Sequence, residues 1–210
     1  WGARNIILRI NMKTGILDLI TKNRSYRRFY QDIEIPYETL ESMIEAARLS
    51  PSGANRQPLK YIICQDGKGK TGREIFDCLV WAGYLKDWDG PVEGERPAAY
   101  IIMLHDKNIH TTIYCDQGIA LQSIMLQAVS LGYGGCIFAS INRPRLSKFL
   151  DLPETLEILH VVALGQPKET VVIDKTNPDL TAGENIKYWR DADGVHHVPK
   201  RSLSELIIKK

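Results

Sequence analysis

The 210-residue sequence predicts an α+β fold in which helices dominate around a central sheet of about four or five short strands. Apolar residues recur at helical spacing, and short apolar runs between glycines and prolines indicate buried strands. The composition is that of a globular protein, with 44% hydrophobic and 25% charged residues. We therefore expect a single domain over residues 12–210. Residues 1–11 precede a plausible start at Met12 and are expected to be an N-terminal extension.

The N-terminal half predicts three helices and one strand. Residues 15–22 are weakly helical. A second helix begins at Pro36 and ends near Ser50, because the residue before a proline resists the α conformation. Its apolar face consists of Leu40, Met43, Ile44 and Ala47. Three glycines then break the chain, at Gly67, Gly69 and Gly72. The remaining elements of this half are a polar loop (51–58), a buried strand (61–64), a helix (74–85) and a loop (87–97).

The C-terminal half contains the longest helix, predicted over residues 111–131. This helix is apolar on most sides, which indicates burial in the core or at a subunit interface. The other elements of this half are strands at 98–104, 136–139 and 157–164, a helix at 143–150, a turn at 165–167 and a short helix or strand at 202–208. Residues 168–200 lack a core periodicity, so we expect an extended arm that lies on another surface.

Charge and cysteine content exclude several functional classes. The net charge is +2, from 27 Lys and Arg against 25 Asp and Glu, so no nucleic-acid partner is expected. The one dense basic cluster is Arg24, Arg27 and Arg28, which is large enough for a single phosphate. Four cysteines without a CxxC pair favour the reducing cytoplasm. No apolar run approaches the length of a membrane span, so no membrane association is expected.

Two segments in the first third of the chain carry polar groups that packing does not readily explain. Residues 24–27 place the Arg24 and Arg27 guanidiniums beside the Ser25 hydroxyl, a donor set that suits phosphate oxygens, although a solvated basic turn is the alternative. Residues 51–58 form a loop between two prolines that is rich in neutral donors and acceptors. Such groups can recognise the amide edges of a heterocycle, or they can cap their own backbone.

Two further segments lie in the second half. Residues 132–140 contain three glycines after a buried helix, so the backbone can approach a flat ligand closely or can simply cap the helix and turn into a strand. Residues 198–202 add the basic pair Lys200 and Arg201 near the end of the arm.

Metal binding is not expected. His196 and His197 are adjacent on an extended segment, so their side chains point to opposite sides and cannot share one ion. The sequence also lacks the GxSxG and HExxH motifs. Asp116 and Gln117, at the head of the longest helix, are expected to cap it or to interact with its dipole.

In this order and spacing the segments resemble the FMN-dependent nitroreductase family, over roughly residues 13–208. The residues that carry the resemblance are Arg24-Ser25-Tyr26-Arg27-Arg28-Phe29, Pro51-Ser52-Gly53-Ala54-Asn55-Arg56-Gln57-Pro58, Asp116 with Leu131-Gly132-Tyr133-Gly134, Leu164-Gly165-Gln166-Pro167 and Lys200-Arg201. The resemblance implies a nitroreductase-like α+β fold with a mixed central sheet. It also implies a homodimer with FMN at the interface and C-terminal arms that reach across to the partner.

The resemblance assigns roles to individual residues. Arg24 and Ser25 would bind the FMN phosphate or ribityl groups, with Tyr26 in the same segment, and Arg27 would lie near the flavin pyrimidine. The loop of the other subunit would contact the flavin through Pro51, Ser52, Gly53, Asn55 and Gln57. Lys200 and Arg201 would complete the phosphate site. A backbone N–H near Phe138, Ala139 and Ser140 would face flavin N5, so no catalytic side chain and no metal are implied.

The implied activity is hydride transfer from NAD(P)H through the flavin to nitroaromatics, quinones or similar acceptors, in a ping-pong cycle. The same fold also permits reductive dehalogenation, azoline oxidation or flavin fragmentation, which depend on lid residues expected within 74–97. The aromatics Trp81, Tyr84 and Trp88 in that segment suit a flat acceptor or belong to the core. A non-catalytic FMN-binding dimer is a further alternative, in which Phe138 would block the N5 strand.

Overall fold

The computed structural model describes residues 15–85 and 87–208. The expected N-terminal extension, residues 1–11, lies outside the described residues. The elements are α1 (Ile16–Lys22), α2 (Tyr37–Arg48), a 3-10 turn (Gly53–Asn55), β1 (Leu59–Cys64), α3 (Lys70–Asp77), β2 (Ala99–Asp106), α4 (Asp116–Ser130), β3 (Gly134–Phe138), α5 (Arg143–Phe149), β4 (Leu156–Gly165), β5 (Val171–Lys175), β6 (Trp189–Arg190), β7 (His196–Lys200) and α6 (Leu203–Leu206).

A four-stranded sheet in the order β1-β2-β4-β3 forms the centre of the fold. Successive residues of β2 point to opposite faces, so Ile101 and Met103 pack against α2 and α4, while Tyr100 and Ile102 join the core that contains α3 and α5. The predicted α+β class and strand count are confirmed. All pairings in this sheet are antiparallel rather than mixed. Parallel pairing occurs outside it, between Ser25 and Gly135 and between β5 and β7.

Three predicted helix boundaries are wrong. The helix expected over 74–85 is α3, which begins at Lys70, contains Gly72 and ends at Asp77, eight residues before the predicted end. A Cβ at Gly72 would lie 2.5 Å from Gly67 Cα, so this glycine lets the helix pack on the preceding turn instead of breaking it. The helix expected from residue 111 begins only at Asp116. The carboxylate of this residue accepts hydrogen bonds from the 51–58 loop.

The segment expected to be an extended arm contains the small sheet β5-β7-β6. The buried positions of this segment include the polar residues Glu169, Asn185 and His196. For this reason the sequence of the segment shows no apolar periodicity. His197 lies between Asp174 (2.6 Å) and Asp191 (3.0 Å) and stacks on Trp189 at 4.0 Å between ring centroids. Hydrogen bonds and ring contacts therefore hold this sheet together. None of the described helices is long and apolar enough to span a bilayer.

Candidate functional site

Residues 24–29 lie along β3, at one edge of the central sheet. Ser25 forms a parallel bridge with Gly135, and the Tyr26 N–H donates to the Gly135 carbonyl at 2.9 Å. The Tyr26 ring covers Gly134, where a Cβ would come within 2.5 Å of the ring. Phe29 is fully buried and anchors the far end of the segment. The sequence motif thus folds as an extra strand-like segment beside β3, with its polar side chains on either side of the backbone.

Arg24 carries a positive charge that no carboxylate in the described residues contacts. One Nη2–H donates to the Ile20 carbonyl at 2.7 Å, and Nε is buried without a hydrogen-bond partner. Burial lowers the pKa of Arg24 from its usual value. Ser25 beside it is exposed. An anion at this position would both compensate the charge and accept from the orphaned N–H.

Arg27 is nearly buried and lies against the small sheet. Its guanidinium donates to the Ser25 carbonyl at 3.3 Å, lies 3.3 Å from His196 Nε2, and faces the Tyr188 ring at 4.9 Å. The backbone N–H groups of Arg27 and Arg28 both donate to Glu169 Oε1. Glu169 also pairs with Arg190 at 2.9 Å and is almost fully buried. This carboxylate joins the 24–29 segment to the C-terminal region.

The end of β3 offers unused backbone donors. Ala139 and Ser140 are exposed, and in the described residues neither backbone N–H donates a hydrogen bond. The Ser140 carbonyl accepts from Val80 at 3.1 Å, which holds the strand end in place. Phe138 is buried beneath Trp81, with ring centroids 4.6 Å apart. Its side chain therefore belongs to the core rather than to the exposed end of the strand.

The 51–58 loop is held in a strained conformation by the start of α4. Asp116 accepts from Ser52 Oγ at 2.7 Å and from the Gly53 N–H at 2.9 Å. Burial works to raise the pKa of Asp116, but these hydrogen bonds outweigh it and lower the pKa. Asn55 and Gln57 have φ values of 55° and 54°, and their side chains are exposed and bonded to each other at 3.0 Å. Pro51 is also exposed.

The two groups of candidate residues lie at opposite edges of the sheet. The 51–58 loop leads into β1, and the 24–27 segment lies beside β3 at the other edge, with β2, β4 and β3 between them. Four strand spacings amount to about 19 Å. A cavity of about 450 Å³ lies beside the loop, between α2, β1 and the start of α4. Within one chain, therefore, these two groups do not meet.

The basic pair near the C-terminus is also apart from Arg24 in the described chain. Lys200 is exposed at the end of β7, and Arg201 donates to the Ala182 carbonyl at 3.2 Å and lies 3.5 Å from Glu205. His196 and His197 point to opposite sides of β7, towards Arg27 and towards two aspartates respectively. Within residues 15–85 and 87–208, no three His, Cys, Asp or Glu side chains form a metal site.

Three residues that contact Arg27 were not predicted from the sequence to belong to the site. Glu169, Tyr188 and His196 contact Arg27 from positions more than 140 residues further along the chain. None of the three lies in a recognisable sequence motif. Only the packing of the small sheet brings them to Arg27. Asp116 was expected to cap α4 or to interact with its dipole. The cap position is instead Cys115, without a side-chain cap hydrogen bond, and the Asp116 carboxylate accepts from Ser52 and Gly53.

The aromatics of the expected lid divide between core and surface. Trp81 is buried, and Trp88 packs edge-on to it at 6.2 Å between centroids. Tyr84 is half-exposed and contacts Tyr188 at 4.9 Å between centroids. Tyr84 is therefore the one of the three aromatics whose ring remains largely on the surface.

Comparison with known proteins finds similarity over most of the chain. The Nitroreductase family model matches residues 20–166. The NAD(P)H FMN reductase of Bacillus subtilis is 24% identical over 215 aligned residues, which cover 93% of this chain and 84% of the reductase. Iodotyrosine deiodinase 1 of Sus scrofa is 26% identical over 194 residues, which cover 78% of this chain and 63% of the deiodinase.

A solved structure shares the fold. The nitroreductase family protein from Clostridium novyi NT superposes with a TM-score of 0.62 at 25% identity, over 73% of this chain and 87% of its own. The family match spans the 24–29 segment, the 51–58 loop, Asp116 and β3, which are the elements that build the candidate site. The chain belongs to the nitroreductase family.

Proposed function

We propose that this protein is an FMN-dependent oxidoreductase that takes hydride from NAD(P)H and reduces nitroaromatic, quinone or similar acceptors. The observation that carries the proposal is the edge formed by β3 and residues 24–27. One end of this edge has Arg24, which pairs with no carboxylate of the described residues. The other end has the exposed residues Ala139 and Ser140, whose backbone N–H groups donate no hydrogen bond within that part of the chain. An anionic cofactor with a flat hydrogen-bonding ring fits both ends.

The phosphate end of the site would be formed by Arg24 and Ser25. The orphaned Arg24 Nε and the exposed Ser25 hydroxyl are donors of the kind that phosphate oxygens accept from. Lys200 and Arg201 would add charge at this end, which requires a movement of the chain after β7 away from Ala182 and Glu205. Tyr26, which covers Gly134, would keep the segment in register with β3.

The ring end would be formed by the backbone at Ala139 and Ser140. A bound flavin supplies the hydride chemistry, accepting hydride from NAD(P)H and passing electrons to the acceptor. The protein supplies a backbone N–H donor at one of these two residues and the positive charge of Arg27. This charge favours the more negative, reduced form of the cofactor over the oxidised form. No side-chain acid or base is required.

The buried position of Phe138 favours a catalytic protein over a non-catalytic FMN-binding dimer. A blocked site would need a bulky exposed side chain at this strand end, whereas Phe138 is buried and its ring packs against Trp81. Because Ala139 and Ser140 are exposed, we expect a second flat molecule, either the nicotinamide or the acceptor, to reach this strand end.

We further propose that the site is shared between two copies of the chain. The 51–58 loop, with Pro51, Ser52, Gly53, Asn55 and Gln57, lies at the β1 edge, whereas Arg24 lies beyond β3 at the other edge. Within one chain the loop and Arg24 therefore do not line a common pocket. A homodimer would bring the loop of one protomer to the β3 edge of the other. The strained, exposed conformation of Asn55 and Gln57 is consistent with a binding loop.

Reductive dehalogenation is the second candidate, because the chain is similar to iodotyrosine deiodinase 1 over 78% of its length. Such a reaction would use the same flavin site with a halogenated phenol as the acceptor. The exposed Tyr84 and its contact Tyr188 provide aromatic surface near Arg27 for a phenol ring.

The test is steady-state oxidation of NADH and of NADPH by the FMN-loaded protein, with a quinone, a nitroaromatic or a halotyrosine as acceptor. We expect turnover with the quinone, and Arg24→Gln should raise the Kd for FMN about tenfold or more because a charge-assisted contact is lost. Arg73→Gln, which changes an exposed arginine on α3, is the matched control and should leave the Kd unchanged. Turnover only with the halotyrosine would favour the second candidate, and FMN binding that is insensitive to Arg24 would refute the phosphate site.

A further inference from the structure

Arg27 is held in the site by neutral partners. Its guanidinium contacts the Ser25 carbonyl, the His196 ring and the face of Tyr188, and in the described residues no carboxylate forms an ion pair with it. The nearby carboxylate, Glu169, is used by the backbone N–H groups of Arg27 and Arg28 and by the Arg190 side chain. The positive charge of Arg27 is therefore fixed in position without being neutralised.

His196 can accept from Arg27 only in one protonation state. A guanidinium has donors and no acceptor, so Nε2 of His196 must be unprotonated and the ring proton must be on Nδ1. His196 is only 1% exposed, and its buried Nδ1 has no hydrogen-bond partner among the described residues. Burial, together with the charges of Arg27 and Arg190, lowers the pKa of His196 to about 4. The ring is therefore neutral at physiological pH and does not repel Arg27.

Tyr188 packs against the Arg27 guanidinium. Its ring lies 4.9 Å from Arg27 Cζ on one side, and it also contacts the rings of His196 at 5.2 Å and Tyr84 at 4.9 Å. A cation over an aromatic face is attracted without losing its charge. The Tyr188 ring and the His196 ring thus restrain the same guanidinium from two directions.

We propose that His196 and Tyr188 are positioning residues that hold the Arg27 cation beside the flavin-binding edge and thereby set the relative affinity of the protein for reduced and oxidised FMN. This inference rests on the FMN site proposed above. A buried cation interacts strongly with a neighbouring charge because the dielectric constant between them is low. A displacement of Arg27 should therefore change the affinity for reduced FMN, the more negative form, more than the affinity for oxidised FMN. Neither residue needs to touch the cofactor.

The first test measures the Kd of oxidised and of reduced FMN for the wild type and three variants. His196→Leu removes the acceptor, and we expect it to weaken the binding of reduced FMN about tenfold relative to oxidised FMN, a shift of about 30 mV to more negative midpoint potential. His196→Gln retains a neutral acceptor and should change this ratio less than about threefold. His197→Gln alters the same strand on the face away from Arg27 and should leave the ratio unchanged.

The second test needs no flavin. Nitrogen-15 NMR of the cofactor-free protein should show His196 with its proton on Nδ1 and neutral until the pH falls to about 4. A His196 that titrates near the ordinary value of about 6.5 would contradict the contact with Arg27, even where His196→Leu does not fold.

The outcomes separate the two proposals. A wild type that binds no FMN overturns the proposed function and this inference together. A wild type that binds FMN while His196→Leu keeps the ratio of the two affinities overturns the positioning role alone.

Discussion

The carboxylate of Asp116 determines the conformation of the 51–58 loop at the scale of single residues. It accepts from Ser52 Oγ and the Gly53 N–H, and Ser52 Oγ in turn accepts from the Gln57 N–H at 2.9 Å. Because hydrogen bonds to a charged group contribute about 1.5–3 kcal/mol, this network can maintain a loop with several residues at positive φ. The loop therefore holds this conformation through its own hydrogen bonds, without a ligand.

Asp116→Ala should release this loop and raise the Kd for FMN about tenfold or more, while lowering the free energy of unfolding by about 1–3 kcal/mol. Asp66→Ala is the matched control, because Asp66 accepts two backbone N–H bonds of similar length, from Lys68 and Gly69, in a turn outside the site. Fluorescence titration with FMN and urea unfolding measure the two effects. Equal Kd values for both variants would show that the loop does not take part in binding.

The two neighbouring histidines should give opposite pH dependences of stability. The pKa of His196 is lowered to about 4, so its contribution is complete above the unfolded value near 6.5 and is lost as the pH falls from there towards 4. The pKa of His197 is raised, chiefly by its hydrogen bond to Asp191, so its contribution is complete below about 6.5 and is lost as the pH rises through its higher folded value.

Urea unfolding of the wild type and of His196→Gln measures this difference. Between about pH 7 and about pH 4.5, the wild type should lose about 2–3 kcal/mol more stability than His196→Gln does. His197→Gln should instead reduce the loss of stability on the alkaline side. Parallel curves for wild type and His196→Gln would show that His196 titrates normally.

The residues that could be predicted at the site are those in continuous motifs. Arg24, Ser25 and Arg27 lie within four positions, so their types and spacing alone suggest a phosphate site. Glu169 and His196 could not be assigned to the site in this way. They lie 142 and 169 residues after Arg27 in the sequence, and only the folded path of the chain brings them into contact with it. A buried polar residue gives no signal in a single sequence until its partner is known.

At the scale of elements, the glycines of helices α3 and α4 differ in how closely their surroundings pack against them. In α3, a Cβ at Gly72 would meet the backbone of Gly67 at 2.5 Å, whereas in α4 the space around Gly118 is open. A helical glycine is ordinarily about 1 kcal/mol less favourable than alanine. The local packing therefore decides whether replacing the glycine by alanine raises or lowers the free energy of unfolding.

Gly118→Ala should stabilise the protein by about 0.5–1 kcal/mol, while Gly72→Ala should destabilise it by about 1–3 kcal/mol, because backbone atoms of Gly67 would have to move. Urea unfolding of the two variants beside the wild type measures both values. If Gly72→Ala were as stable as Gly118→Ala, the close approach of α3 to the Gly67 turn would be wrong.

Periodicity predicted some elements well and others poorly. Helix α2 and strand β2 follow from their apolar patterns, since their buried faces consist of apolar side chains. The start of α3 was missed because a glycine in a helix cannot be told from a glycine in a turn without its neighbours. The small sheet was missed because its buried positions are polar and its contacts are ion pairs and stacked rings.

At the scale of the whole molecule, the order of the strands separates the two groups of candidate site residues. The apolar runs predicted an α+β protein and the number of strands, but the order β1-β2-β4-β3 depends on pairings between distant residues. That order places the 51–58 loop and the 24–27 segment at opposite edges of the sheet. This separation is the observation that supports the proposed site between two protomers.

Mixed dimers test the shared site. Arg24→Gln and Asp116→Ala should each bind FMN poorly alone, because every site then carries one defect. When the two variants are unfolded together and refolded, each mixed dimer should contain one intact site and one with both defects. Recovery of FMN binding and turnover in the mixture is the expected result, with separately refolded and then combined proteins as the control. No recovery would indicate that each site is built from one chain.

The most direct measurement of the proposed function is the visible spectrum of the FMN-loaded protein during anaerobic addition of NADH or NADPH, followed by a quinone. The absorption of bound oxidised flavin should bleach with at least one of the two nucleotides and should return when the quinone is added. A protein that binds no FMN, or whose bound flavin stays oxidised with both nucleotides, would contradict the proposed NAD(P)H oxidoreductase.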